Sequence, residues 1–105
     1  MEVKQYQVYW VNLDPTIGSE IRKTKPCLVI SPNEMNEHLN TIIVAPFTST
    51  LRSYPSRVNC ILNSKASAIA LDQVRAIDKR RLTTYIDSLD ALTIIPHNNK
   101  SKRNN

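Results

Sequence analysis

The chain has 105 residues, 41% apolar and 22% charged, enough for one small domain burying roughly 60–70% of its unfolded surface and too short for two. Apolar runs such as residues 42–46 and 69–71 fall far below the roughly 20 residues of a membrane span, and the start lacks the basic-then-apolar pattern of a secretory signal, so a cytoplasmic protein with no membrane partner is expected. Fourteen Lys and Arg against nine Asp and Glu give +5, but Lys100, Lys102 and Arg103 lie in the acid-free stretch 96–105, which leaves +2 on residues 1–95.

In chain order, residues 6–13 are the first strand-length burst of apolar and β-branched residues, with Trp10 in mid-strand and expected in the core. The loop 14–26 follows, opening on the turn Asp14-Pro15-Thr16-Ile17-Gly18-Ser19 and carrying the chain's one glycine, where average usage would give about seven. Arg22, Lys23 and Lys25 share this loop with Glu20. It reads either as a solvated charged hairpin loop or as a phosphate-binding rim in which Glu20 acts as general base or orients a cation. Strands are predicted at 27–31 and 41–46, on either side of one short helix over 32–39 capped by Asn33 or Ser31. The second of these strands ends in Phe47-Thr48-Ser49-Thr50, hydroxyls that either satisfy a turn or hold a non-bridging phosphate oxygen.

Further strands are predicted at 57–62, 68–72, 74–77 and 82–86, after a loop that exposes Tyr54. Strand alternation through 72–77 puts Asp72, Val74 and Ala76 on one side and Gln73, Arg75 and Ile77 on the other. Asp72 and Arg75 then make either a structural ion pair or, with Lys79-Arg80-Arg81, part of a track for a polyanionic backbone. Cys27 and Cys60 lie in apolar bursts without zinc or redox spacing and are expected as reduced core residues. Ten asparagines can serve left-handed turn positions in place of glycine. Residues 86–96 hold at most two helical turns before Pro96, and the polar stretch 96–105 cannot repay the entropy of ordering, so a domain at 1–95 and a disordered basic tail at 96–105 are expected.

The fold class is therefore mainly β, a small barrel of antiparallel strands with short helices. His38 and His97 are the only histidines, one on the short helix and one in the tail, so neither a histidine pair for RNA cleavage nor a histidine triad is supported. The acids are dispersed, no Walker or dinucleotide-binding glycine pattern occurs, and no metal or cofactor is expected.

Five blocks in order carry a resemblance: Val11-Asn-Leu-Asp-Pro-Thr-Ile-Gly-Ser-Glu20, Lys25-Pro-Cys-Leu-Val-Ile-Ser-Pro32 with Asn36, Val44-Ala-Pro-Phe-Thr-Ser49, Tyr54-Pro55, and Leu71-Asp-Gln-Val-Arg-Ala-Ile-Asp-Lys-Arg-Arg-Leu82. Over residues 6–85 the chain resembles the MazF/PemK (Kid) family of toxin endoribonucleases. The resemblance implies an SH3-like, CcdB/PemK-type barrel and a homodimer. It also implies sequence-specific, metal-independent cleavage of single-stranded RNA, typically messenger RNA, and neutralisation by a cognate antitoxin, with operator DNA reached only through the antitoxin complex. The implied reaction is attack by the 2′-hydroxyl, leaving a 2′,3′-cyclic phosphate or 3′-phosphate and a 5′-hydroxyl.

The family's catalytic pair is an arginine before the proline that opens the second strand and a hydroxyl residue at the end of the third. Here these positions are Lys25 and Thr48. An ammonium is a flexible point charge where a guanidinium is a planar fork, so reduced activity is expected, with Arg22 able to supply the fork and Glu20 supporting loop cations or moving a proton. Ser19, Asn36, Ser49, Tyr54, Asp72, Gln73 and Arg75 fall on blocks implied to line the RNA groove. The alternative is a weakened or inactive member that still binds RNA, antitoxin or operator complexes.

Overall fold

The computed structural model describes residues 2–13, 23–50 and 54–95. The expected positions of Ser19, Glu20 and Arg22 and the tail 96–105 lie outside the described residues. Eight strands form one curled, unclosed sheet: β1 (Gln7–Asn12), β2 (Thr24–Val29), β3 (Thr41–Thr48), β4 (Arg57–Leu62), β5 (Lys65–Ala70), β6 (Arg75–Asp78), β7 (Leu82–Ser88) and β8 (Thr93–Ile95), in the order β7-β1-β2-β3-β5-β4-β8 with β6 also on β3. Every recorded pairing is antiparallel. No helix among the described residues is long and apolar enough to cross a membrane.

Alternation builds a core on each side of the sheet. Tyr9, Val11, Cys27, Val29, Ile42 and Val44 pack on one side, and Val8, Leu28, Ala45, Phe47, Cys60 and Ile69 on the other. Both cysteines are buried free thiols, and burial pushes the Cys27 thiol up to about 12, so it stays protonated and serves packing.

β3 is the hub. Its first half pairs with β6 through Thr41↔Asp78 to Val44↔Arg75, its middle with β2 through Val29↔Val44 to Cys27↔Pro46, and its end with β5 through Phe47↔Ile69 and Thr48↔Ala68. Pro26 and Pro46 stand where the β2 ladder to β3 stops, whereas β2 keeps its pairing to β1 as far as Asn12↔Thr24. A proline has no N–H to give a ladder, and the two strands part at this point. Between β4 and β5, Asn63 and Ser64 turn the chain at φ 52° and 66°, the φ signature of a two-residue primed hairpin turn; Asn63 takes a left-handed position as expected of an asparagine.

Several local expectations are corrected. The helix α1 (Asn33–His38) has no side-chain cap: the Asn33 side-chain Oδ1 accepts from the Gln5 N–H, and the Ser31 hydroxyl donates to the Asn36 Oδ1. Trp10 is 40% exposed although Tyr9 and Val11 beside it are buried. Residues Leu71–Gln73 form a 3₁₀ turn, so strand alternation holds only from Arg75 onward. The region predicted to hold up to two helical turns contains one 3₁₀ turn, Leu89–Ala91, and then β8, which pairs with β4.

Candidate nucleic-acid interface

Lys25 and Thr48 line one cleft. The parting of β2 from β3 opens a cleft of about 370 Å³ lined by Lys25, Pro26, Phe47, Thr48, Ser49, Thr50 and Ser67. β2 begins at Thr24, so Lys25 stands on a strand rather than in the loop. Lys25 is two residues before Cys27 and Thr48 two after Pro46, so alternation gives both side chains the face of that last ladder pair. The Thr48 Oγ1 accepts a hydrogen bond from the Thr50 N–H at 3.1 Å. Because a hydroxyl has two lone pairs and one proton, this leaves the Thr48 proton and one lone pair for a ligand.

Arg75 joins them on that face. It stands opposite Val44, two residues along from Pro46, and the positive charges of Lys25 and Arg75 both favour the thiolate of Cys27 against the larger effect of burial. Neither takes part in an ion pair among the described residues, and both are exposed. Such cations can bind phosphate without first giving up a protein partner.

Along β5, Ala68 faces Thr48 and Ala70 faces Arg57, a separation of two residues or about 7 Å. There Arg57, 7% exposed, donates from Nε to the Asp72 Oδ1 at 2.7 Å and from Nη2 to Oδ2 at 3.2 Å. The Ser56 hydroxyl reaches the same carboxylate. The Arg57 hydrogen bonds hold the Asp72 carboxyl down at about 2. Asp72 thus pairs with Arg57, not with Arg75 as the linear spacing suggested. The Arg57 guanidinium lies 5.4 Å from the Tyr54 ring centroid, and Tyr54 is half exposed.

Asn36 is set apart from the cleft. It is 2% exposed, its Nδ2 donates to the Ser31 carbonyl, and its Oδ1 accepts from the Ser31 hydroxyl. The basic run after β6 is also tied into the fold: Arg80 bonds Asp78, and the Arg81 Nη1 donates to the Asn12 carbonyl. Gln73 and Ser49 are exposed. Ser67 and Arg57 were not singled out from the sequence. Ser67 reaches the cleft only because β5 pairs with β3; Arg57 carried a signal, a charge at the start of an apolar strand burst.

The family model described as PemK-like, MazF-like toxin of type II toxin-antitoxin system matches residues 4–99. The endoribonuclease EndoA of Bacillus subtilis is 36% identical over 96 residues, covering 86% of this chain and 83% of the relative. The endoribonuclease MazF of Staphylococcus epidermidis is 29% identical over 103 residues, covering 92% and 86%. Among solved structures, an endoribonuclease in complex with its cognate antitoxin from Mycobacterial species superposes with a TM-score of 0.68 at 23% identity, over 90% of this chain and 81% of that one.

Proposed function

This chain belongs to the PemK-like, MazF-like toxin family of type II toxin–antitoxin systems, and from that premise we propose that it is a sequence-specific, metal-independent endoribonuclease acting on single-stranded messenger RNA. The observation that carries the proposal is the shared cleft of Lys25 and Thr48. A phosphodiester lying there meets an ammonium and a hydroxyl donor, the two groups that a negatively charged phosphorane needs. The 2′-hydroxyl attacks phosphorus and loses its proton to a base, a role we assign to Glu20. Thr48 donates to a non-bridging oxygen. Lys25 neutralises the growing charge and gives its proton to the departing 5′-oxygen. The products are a 2′,3′-cyclic phosphate, or its 3′-phosphate, and a 5′-hydroxyl.

Arg75 is assigned to a neighbouring phosphate, Tyr54 to base stacking, and Ser49 and Gln73 to hydrogen bonds with the strand. Asp72 acts through Arg57, holding it beside Tyr54. Ser19 and Arg22, which precede β2 in the sequence, are assigned to further contacts with the strand. Asn36 has a place in this scheme only as support for α1. We assign neutralisation to a cognate antitoxin and the working form to a homodimer; an apolar groove of about 440 Å³ lined by residues including Tyr6, Leu28, Ile30, Leu71, Leu89 and Ile94 supports a protein partner. Sedimentation at micromolar concentration tests the dimer.

Lys25 in the place of the family arginine favours a second reading, a weakened or inactive member that retains RNA binding. Purified protein incubated with mixed-sequence RNA in EDTA separates the two. Discrete bands with 5′-hydroxyl ends, lost in Thr48→Ala and stronger in Lys25→Arg, establish the ribonuclease. No cleavage by the wild type together with cleavage by Lys25→Arg establishes the inactive member, and no cleavage by either ends the catalytic proposal.

A further inference from the structure

The Lys25–Thr48 cleft does not stop at Ser67. Pro26 and Ser67 also line a second cavity of about 250 Å³, whose other walls are Trp10, Leu62, Asn63 and Lys65. The two cavities share Pro26 and Ser67: the first lies between β2 and the end of β3, and the second between the β1–β2 ribbon and the β4–β5 hairpin. We infer that the second stretch is a stacking subsite for one base of the RNA strand whose scissile link lies at Lys25 and Thr48. This rests on the ribonuclease reading and extends it by one nucleotide.

Three observations carry it. Trp10 is 40% exposed between buried neighbours, and its partner across the β1–β2 ladder is Pro26, the residue that lines both cavities. An outward tryptophan offers a stacking surface to any base. Across from it, the hairpin turn presents the exposed side chains of Asn63 and Lys65, an amide for a base edge and an ammonium for a phosphate. Among the described residues, none of those lining either stretch is acidic. The volume lies below the roughly 300–1,000 Å³ of pockets for whole drug-sized ligands, which suits a single base.

Trp10 is the only tryptophan in the chain, so its emission reports on this stretch alone. The wild-type protein is titrated with dye-labelled, mixed-sequence oligonucleotides of three and seven residues, made non-cleavable by 2′-deoxy sugars, while anisotropy reads binding and Trp10 emission reads stacking. The seven-residue strand is expected to quench Trp10. Trp10→Ala is expected to weaken its binding about tenfold, as the loss of one base–aromatic stack predicts, and Trp10→Phe to restore most of it, with the three-residue strand indifferent to both. Binding of the long strand with unchanged Trp10 emission overturns the subsite and leaves the ribonuclease reading standing. Absence of any binding overturns both. Should Trp10→Ala lose the short strand as well, quenching in the wild type decides.

Discussion

The two ends of β3 carry similar polar residues put to opposite uses. Near its start, the Ser31 hydroxyl and the Asn36 amide satisfy one another, and the Ile43 N–H donates to the same Ser31 oxygen at 3.1 Å, all under the cover of α1. At its end, Thr48 receives one hydrogen bond from its own turn, and Lys25 across the gap has no ion-pair partner among the described residues. Covering helps decide which groups hold the fold and which keep capacity for a ligand. A polar group sealed from water must find its partner within the protein, while one at a parting of strands need not.

Breaking the open end should cost chemistry and spare stability. Thr48→Val keeps the β-branched shape but has no hydroxyl to donate, and should slow single-turnover RNA cleavage about 100-fold or more while leaving the urea midpoint nearly unchanged. The closed end should behave the other way. Asn36→Ala strands the Ser31 carbonyl and hydroxyl, and should lower unfolding free energy by about 1–3 kcal/mol, measured by urea denaturation, with cleavage by the folded fraction retained.

A third polar cluster sharpens the contrast through pH. The Asp72 carboxyl, held down by the Arg57 hydrogen bonds from 3.8 to about 2, contributes stability that is complete above about pH 4 and is lost as the pH falls toward 2. Acid unfolding followed by circular dichroism should show a flatter dependence over that window in Asp72→Asn. The same variant should melt at a lower temperature at neutral pH, because the Arg57 side chain, 8% exposed, keeps its charge but loses the carboxylate that balances it. The smallest effect is expected at the turn beside the stacking subsite. Ser64→Gly relieves a left-handed residue at φ 66° and should stabilise the fold by about 0.5–1 kcal/mol, read as a rise in melting temperature.

Much of the strand pattern was legible because alternation and turn residues act locally. Seven of the predicted strand segments lie where strands form, with shifted ends: β2 starts earlier and includes Lys25, and the predicted strand over 68–72 begins at Lys65 and yields to a 3₁₀ turn at Leu71. The helix was also legible, but its cap was not, since Asn33 and Ser31 are taken by Gln5 and Asn36. Trp10 misled because a mid-strand aromatic has no local mark of which face it takes when the neighbouring ladder is irregular. The partner of Asp72 misled for a related reason, since Arg75 is three residues away in sequence while Arg57 is brought over by β4 pairing with β5.

By itself the order of residues determined the strand-rich class, the buried cysteines and the family, and it singled out Lys25 and Thr48 as candidates, because these depend on side-chain chemistry, short-range alternation and the order of motifs. Only the tertiary structure decided that the two prolines part β2 from β3, that Thr48 keeps a donor toward the gap, that Asn36 turns inward and that Trp10 turns outward. Each of these depends on which distant strand lies alongside, and strand neighbours are chosen by the whole sheet rather than by any segment of it.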